Sequence, residues 1–571
     1  MKLPRVPYKL TKNMSEVIAM RGINYGDMLR DGDLRESTNL SARRYPYLSV
    51  RRGRELVDDN NDVLALTEWD GKFVIVYRAG QDSNGEYVVR IKYDGNVLKD
   101  KDGNYPKLTD TEKQFAVVGN KLIIFPDKLY IDLSKDDEDG AGVPKLKNAI
   151  SSVRYNFAFY STKDQSTSEQ YPMNQMRVAA VTTGTNENNA PKTFSFSDHF
   201  KVGDSVIFKE TDVEFAGNKK GTILEIFPKS DDTGGIVVQF EEEREVSVSG
   251  SYLTTIETYV PSLDYICEKN NRLYGCSNED NTIYASALGE PFQLSNFIGN
   301  VSVNSFAVAV GSDGAFTGCS ALGSSVLFWK EDKLHKLLGE YASEYTLYSY
   351  DIDGVQAGSH KSQQVINETL FYLGSQGVYA YGGGIPTLIS ENFGQRRFKN
   401  GVAGRDTDSY YLSAEDKNGN PHLFVYETTA GLWLREDDLR AKDFARAGRD
   451  LYVLDRGGII HKMDSGEADK DVEWMAYFTP FYETMQGRKT YSKLLIRAEI
   501  PQGAYIKPEV RYDGGDWKSL PAITGGKDAK NDTVAIPIPI NRCDKFELRL
   551  SGKGDVAILG MVREFMVRSD K

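Results

Sequence analysis

Short runs of alternating apolar and polar positions dominate this chain. "KFVIVYRAGQDSNGEYVVRIKYDGN" from Lys72 shows the pattern: two runs of period two joined across a polar, glycine-containing turn. It recurs in "NKLIIFPDKLYIDL" from Asn120, "NRLYGCSNEDNTIYAS" from Asn271 and "SSVLFWKEDKLHKLL" from Ser324. "ETLFYLGSQGVYAYGGG" from Glu368, "SYYLSAEDKNGNPHLFVYETTAGLWL" from Ser409 and "RDLYVLDRGGIIHKM" from Arg449 complete the set. A period of two sends successive side chains to opposite faces of a strand, so each segment predicts a β-hairpin. Helical periodicity is scarce.

The spacing predicts how the hairpins are organised. Their first strand cores begin near Phe73, Lys121, Arg272, Ser325, Thr369, Tyr410 and Leu451, at intervals of 48, 151, 53, 44, 41 and 41 residues. All but one interval match the length of a four-stranded propeller blade. Small-residue segments such as "LALTEWDG", "AFTGCSALG" and "GVAGRDTDS" precede most of these strands, as suits an innermost strand where blades crowd together. About seven blades are expected. The long interval holds one blade period plus a surplus with its own strands, "FKVGDSVIFKE", "GTILEIFPKS" and "GGIVVQFEEE". That surplus predicts a small barrel, SH3-like in pattern, inserted in a blade loop whose ends are already close. After about Ser465 the pattern shifts to longer alternating strands, which predicts a β-sandwich. The front of the chain, with turns such as "YGDMLRDGDLRES", predicts an extended arm lying on another surface.

The resulting fold class is all-β: a β-propeller of about seven blades with an inserted small β-barrel domain and a C-terminal β-sandwich. The expected boundaries are an arm over 1–55, propeller over 56–150, barrel over 151–257, propeller over 258–468 and sandwich over 469–571.

Composition narrows the function classes. A formal net charge of −12 argues against a surface that binds nucleic acid throughout, though it permits a local basic patch. No run approaches the ~18 apolar residues of a membrane helix, and the start lacks an apolar leader segment, so a protein made in the cytoplasm is expected. Four cysteines, Cys267, Cys276, Cys319 and Cys543, do not make a disulfide framework. Cys267 and Cys276 could pair across a hairpin, although free buried thiols fit better.

Catalytic patterns are weak. The histidines His199, His335, His360, His422 and His461 lie far apart without zinc-ligand spacing. Neither a nucleophile elbow nor a phosphate-binding loop is present, and "YGGGIP" at Tyr381–Pro386 has no helix after it. "DKDGN" at Asp100–Asn104 and "EDKNGN" at Glu415–Asn420 suggest calcium loops but lack the closing glutamate, so hairpin turns are the better reading. Glu483, Asp313 and Asp513 are acids that a propeller glycosidase could use, yet the sequence does not pair them. "SDGAFTG" and "YDGGDWKSL" read as glycine-rich turns. No catalytic residue, cofactor or metal site is expected.

The order of segments resembles the β-propeller tail proteins of bacteriophages, of the nozzle or tail tubular type. The resemblance rests on the arm "RGINYGDML…LRESTNLSARRYPYLSVRRG", on Ser324–Gly339, on Leu370–Tyr379, and on the aromatic-rich opening Trp474–Ile500 of the terminal sandwich. It covers most of residues 20–571 apart from the inserted domain, which departs from the pattern. It implies a non-enzymatic virion protein, made in the host bacterial cytoplasm and located in the tail. Copies would form a hexameric ring around the DNA exit channel. Their partners would be one another, other portal, adaptor or tail proteins, and passing DNA held without sequence specificity. No membrane is implied. An alternative is a tail or baseplate propeller that recognises a host receptor or glycan.

Within the arm, "NLSARRYPYLSVRRGRE" concentrates Arg43, Arg44, Arg51, Arg52 and Arg54 in an acidic chain. With Tyr45 and Tyr47 beside them they could contact nucleic acid. Guanidinium groups also pair bidentately with carboxylates, so docking on an acidic partner or on the chain itself is the stronger expectation. These five are the candidate assembly contacts.

Overall fold

A computed structural model describes residues 12–58, 62–133, 143–160, 174–181, 194–210, 219–227, 234–240, 249–297, 303–465, 472–483, 487–526 and 532–568. Each strand start read from the hairpin pattern falls in the second strand of a four-stranded antiparallel sheet. The sheets span residues 63–97, 114–148, 265–309, 318–351, 364–388 and 399–437, and the seventh has three strands of its own within 441–462. Its fourth strand comes from the front of the chain. Glu55–Asp58 pairs antiparallel with Ile460–Lys462, with Lys462 opposite Glu55. The arrangement is a seven-bladed β-propeller.

Neighbouring first strands approach closely where one of them carries glycine. Gly404 shows the constraint: a Cβ there would stand 2.6 Å from the ring of Phe444 on the first strand of the next blade.

Two compact units are separable, residues 1–75 with 355–571 and residues 76–354. In the first, the terminal sandwich has two sheets. One orders Leu40–Ser41, Leu48–Val50, Ala557–Arg568, Arg488–Glu499 and Asp532–Pro537, with Lys12–Val17 also paired to Ala557–Arg568. The other orders Gly22–Ile23, Asp33–Thr38, Glu473–Phe478, Phe546–Lys553, Tyr505–Tyr512 and Lys518–Ser519. Ile23, Leu34, Leu48, Trp474, Phe478, Tyr491, Ile506 and Phe546 share one buried core, which continues into Phe393, Phe424 and Trp433 of the blades.

The extended arm expected over 1–55 is thereby corrected. Five of its strands belong to the sandwich, and a sixth closes the seventh blade. Val17, Met20, Ile23, Leu34, Leu40, Leu48 and Val50 carry no core of their own because they fill the core made by the other end of the chain. The surface it lies on is its own sixth blade together with the turn Glu391–Phe393 that precedes it. Asn39 N donates to Glu436 O at 2.6 Å, Tyr25 N to Asn392 O at 2.7 Å, and Arg435 N to Ser37 Oγ at 2.9 Å. Gly22, with φ +82°, permits the closest approach, since a Cβ there would stand 2.4 Å from Trp433 O.

Arg563 ties these ends together from inside. Its side chain is fully buried on the last strand, opposite Ser15 in register. Nε donates to Glu483 Oε1 at 2.7 Å, and Nη2 donates to Asp31 Oδ2 at 2.7 Å and Ser15 Oγ at 2.9 Å. The guanidinium also lies 3.6 Å from the Phe481 ring centroid.

In the second unit, Ser152–Tyr160, Gln175–Ala180, Gly235–Phe240, Lys220–Phe227, Ser205–Lys209 and Ser249–Thr258 close a six-stranded barrel in that order. Phe157, Phe159, Phe196, Phe200, Phe208 and Phe240 fill its core. The first and last strands pair from Ser152↔Glu257 to Tyr160↔Ser249, so the chain enters and leaves at one place. That is the geometry an insertion needs. Lys201 Nζ to Glu290 Oε1, at 3.2 Å, and Gln293 Nε2 to Asp204 Oδ1, at 3.0 Å, anchor the barrel to the third blade.

His335 is buried in the fourth blade, with Nε2 2.8 Å from Ser312 Oγ and Nδ1 2.7 Å from Ser349 Oγ. Burial, aided by Lys330 and Lys333, pulls its pKa down to about 4. The unfolded side chain titrates near 6.5, so between these values the unfolded state binds a proton that the folded state refuses. The contribution is complete above about pH 6.5 and is lost as pH falls toward 4. His335→Gln should flatten the decline of the melting temperature across that window, measured by thermal unfolding against pH. In the sandwich, Arg563→Met leaves Glu483 buried without its cation and should cost about 3–5 kcal/mol, read by chemical denaturation.

Candidate functional site

The five arginines lie along the stretch of the first unit that leads from the sandwich to the seventh blade, and four of them pair with acids in different elements. Arg54 is held most completely. Its Nη1 lies 2.6 Å from Asp437 Oδ2 and its Nη2 2.8 Å from Glu436 Oε2. Glu436 is 5% exposed, and burial pushes its carboxyl upward against the pull of Arg54 and Arg51. Arg51 Nε donates to Asn39 Oδ1 at 2.7 Å, and its Nη2 stands 4.0 Å from Asp437 Oδ2. Arg51 and Arg54 thus grip the same end of the sixth blade's outer strand, Leu432–Asp437.

Arg43 reaches two blades. Its Nη2 donates to Asp406 Oδ2 at 3.1 Å and to Tyr411 Oη at 3.2 Å on the sixth, and its Nη1 pairs with Asp464 after the seventh. Arg44 turns back to the sandwich, where Nη2 meets Glu499 Oε2 at 2.7 Å. Arg52 is exposed and sends its backbone carbonyl to Arg51 Nη1 at 2.9 Å.

Beside Arg43 and Arg52 lies a cavity of about 600 Å³, also lined by Tyr45, Asp406, Glu427 and Arg449. Burial raises the Glu427 carboxyl, which accepts from Ser409 Oγ at 3.0 Å and Thr429 Oγ1 at 3.1 Å. The cavity wall therefore carries both guanidinium and carboxylate groups, and Arg43 pairs with the chain's own acids. Such an arrangement clamps loops and strands together. The carboxylates that complete it lie more than 350 residues along the chain from their arginines, with separations of 363 for Arg43–Asp406 and 455 for Arg44–Glu499. No local pattern announces them.

The other candidates fall in turns or structural pairs. Asp100 Oδ1 accepts from the backbone N of Asp102 and Asn104 at 2.9 and 2.8 Å, with Gly103 at φ +79°. Asp416 repeats this turn through Asn418 and Asn420, whose bonds lower its pKa to about 2. These are hairpin turns. Asp513 accepts from the backbone N of Asp544 and Lys545, Asp313 offers its carbonyl to Lys330, and Glu483 belongs to Arg563. The three acids are not assembled as a catalytic pair. Among the described residues, no group of three or more histidine, cysteine, aspartate or glutamate side chains could hold a metal ion.

No family model matches the chain, and no curated protein matches it. Solved structures resemble it at low similarity. BamB from Moraxella catarrhalis is 10% identical with a TM-score of 0.33, covering 72% of this chain and 97% of that one. U3-55K is 8% identical with a TM-score of 0.33, covering 72% and 99%. An exo-β-1,3-galactanase from Phanerochaete chrysosporium, determined with galactose, is 9% identical with a TM-score of 0.22, covering 51% and 92%. None of these likenesses bears on what this chain does.

The clamp geometry ranks the arginines. Arg54→Ala strands Glu436 in a buried position and should lower stability by about 3 kcal/mol. The more exposed pair of Arg44 with Glu499 should contribute no more than about 1 kcal/mol when Arg44→Ala removes it. Urea unfolding of the single variants checks the order, and equal losses would contradict it.

Proposed function

We propose that this chain is a non-enzymatic structural component of a bacteriophage tail. Copies of it assemble as a hexameric ring that contributes to the DNA exit channel and joins neighbouring portal or tail proteins. The supporting observation is the order of parts: a front segment laced into a terminal sandwich, a seven-bladed propeller and a barrel inserted between its second and third blades. The front segment, the propeller and the terminal sandwich follow the order on which the sequence resemblance rests, and the inserted barrel departs from it. Self-neutralised arginine pairs suit a part that keeps its shape, because charges already matched within the chain are not offered to passing phosphates. The net charge of −12 agrees, since counterion release on cationic surfaces dominates non-specific DNA affinity.

Receptor or glycan recognition has one observation in its favour. The outer strand of the fourth blade, Thr346–Asp351, exposes Tyr348 and Tyr350 with ring centroids 6.5 Å apart and planes within 23°. Exposed, parallel tyrosines suit stacking on sugar rings.

Mass photometry and negative-stain microscopy of the full chain, alone and with copurified tail proteins, test the first reading. Closed rings or incorporation into a tail assembly are the expected result. A monomer at every concentration that enters no tail assembly would overturn it. Binding to host cells or glycans, lost in Tyr348→Ala/Tyr350→Ala, would support the second reading instead.

A further inference from the structure

Cys267 and Cys319 belong to neighbouring blades. Cys267 lies in Tyr265–Lys269, the first strand of the third blade, and Cys319 in Gly318–Leu322, the first strand of the fourth. Their Sγ atoms are 3.0 Å apart, although 52 residues separate them in sequence. A disulfide needs about 2.05 Å, so closure requires the sulfurs to approach by roughly 1 Å. Packing fixes their positions: Cys319 shares a buried cluster with Tyr274, Cys276, Phe316 and Phe328, and Cys267 packs against it. The pairing suggested by the sequence, Cys267 with Cys276, fares worse. In the hairpin register Cys267 stands opposite Tyr274 and Cys276 opposite Tyr265, so those two cysteines are offset along the strands.

We infer that Cys267 and Cys319 form an oxidant-responsive dithiol that closes into a covalent staple between the third and fourth blades. The site takes a low-molecular-weight disulfide as its oxidant. Cys267 is partly exposed, whereas Cys319 is 9% exposed and its thiol is pushed up by burial, so the reaction begins at Cys267. The Cys267 thiolate attacks one sulfur of the oxidant, forming a mixed disulfide and releasing one thiol. Cys319 then loses its proton and attacks the Cys267 sulfur, expelling the second thiol. The protein gives up two electrons and two protons, and both pass to the oxidant as its disulfide becomes two thiols. In a reducing cytoplasm the pair stays open, while an oxidising exterior closes it. This chemistry stands apart from the proposed tail role.

The test uses the full chain, exposed to oxidised glutathione and then denatured under alkylating conditions. Free thiols should fall from the four of the reduced protein to two. Peptide mapping without reductant should show a Cys267–Cys319 crosslink two hydrogens lighter than the separate peptides. Melting should shift upward by several degrees because the staple constrains the unfolded chain, and dithiothreitol should reverse the shift. Cys276→Ser should retain the crosslink, and Cys267→Ser or Cys319→Ser should abolish it. Four free thiols after oxidation, a Cys267–Cys276 crosslink, or glutathione stably attached without a crosslink would each overturn the inference. Mapping of the unsubstituted protein decides the matter even if a serine variant misfolds.

Discussion

The two ends of the chain complete the same sheets, and the first unit depends on that constraint. Lys12–Val17 and Leu48–Val50 both pair with Ala557–Arg568, the last described strand. Asp33–Thr38 pairs with Glu473–Phe478, and Glu55–Asp58 supplies the outer strand of the seventh blade. Neither sandwich sheet is whole without strands from both the front and the rear of the described chain. Closing so long a loop carries an entropic cost that grows only slowly with length, so a shared apolar core can meet it. Arg563 adds a directional element inside that core, because its donors reach Glu483 from one side and Ser15 and Asp31 from the front of the chain.

The arginine segment follows from the same closure. Once the front strands are in the sandwich, the chain must cross the sixth blade to reach the seventh. Arg51 and Arg54 meet Asp437 and Glu436 on the way, while Arg43 bridges Asp406 and Asp464. Exposed ion pairs contribute little, whereas a buried one punishes the loss of either partner. Arg54 with Glu436 is of the second kind, and Arg44 with Glu499 approaches the first. A basic stretch in an acidic protein thus serves to hold the chain's own front in place.

Much of this architecture was legible in the chain itself. Short apolar runs bounded by turn residues located the second strand of every blade, from Lys72–Gln81 to Asp450–Asp455. The first of them alternates in burial, while Arg272–Ser277 and Ser325–Trp329 are buried on both faces between neighbouring blades. The surplus between the second and third blades marked the barrel, whose strands run from Ser152 to Thr258. The front segment was not legible as part of the sandwich. Its strands are as short as Gly22–Ile23 and Leu40–Ser41, and their apolar residues complete a core whose other walls lie some 450 residues further along the chain. The candidate site divided likewise. The arginines stood out as a local concentration of charge, but their partners are single acids scattered over Asp406, Glu436, Asp437, Asp464 and Glu499.

The sequence by itself determined the class of fold, an approximate number of blades and the place of the insertion, because these depend on periodicities and spacings within a few dozen residues. Only the tertiary structure decided where the front of the chain goes, which acids its arginines meet and which cysteines lie side by side. Those outcomes depend on contacts between distant segments: Asn39 on Glu436, Arg563 on Ser15 and Cys267 against Cys319. No local pattern encodes such contacts, since each is set by the closure of sheets whose strands come from different parts of the chain.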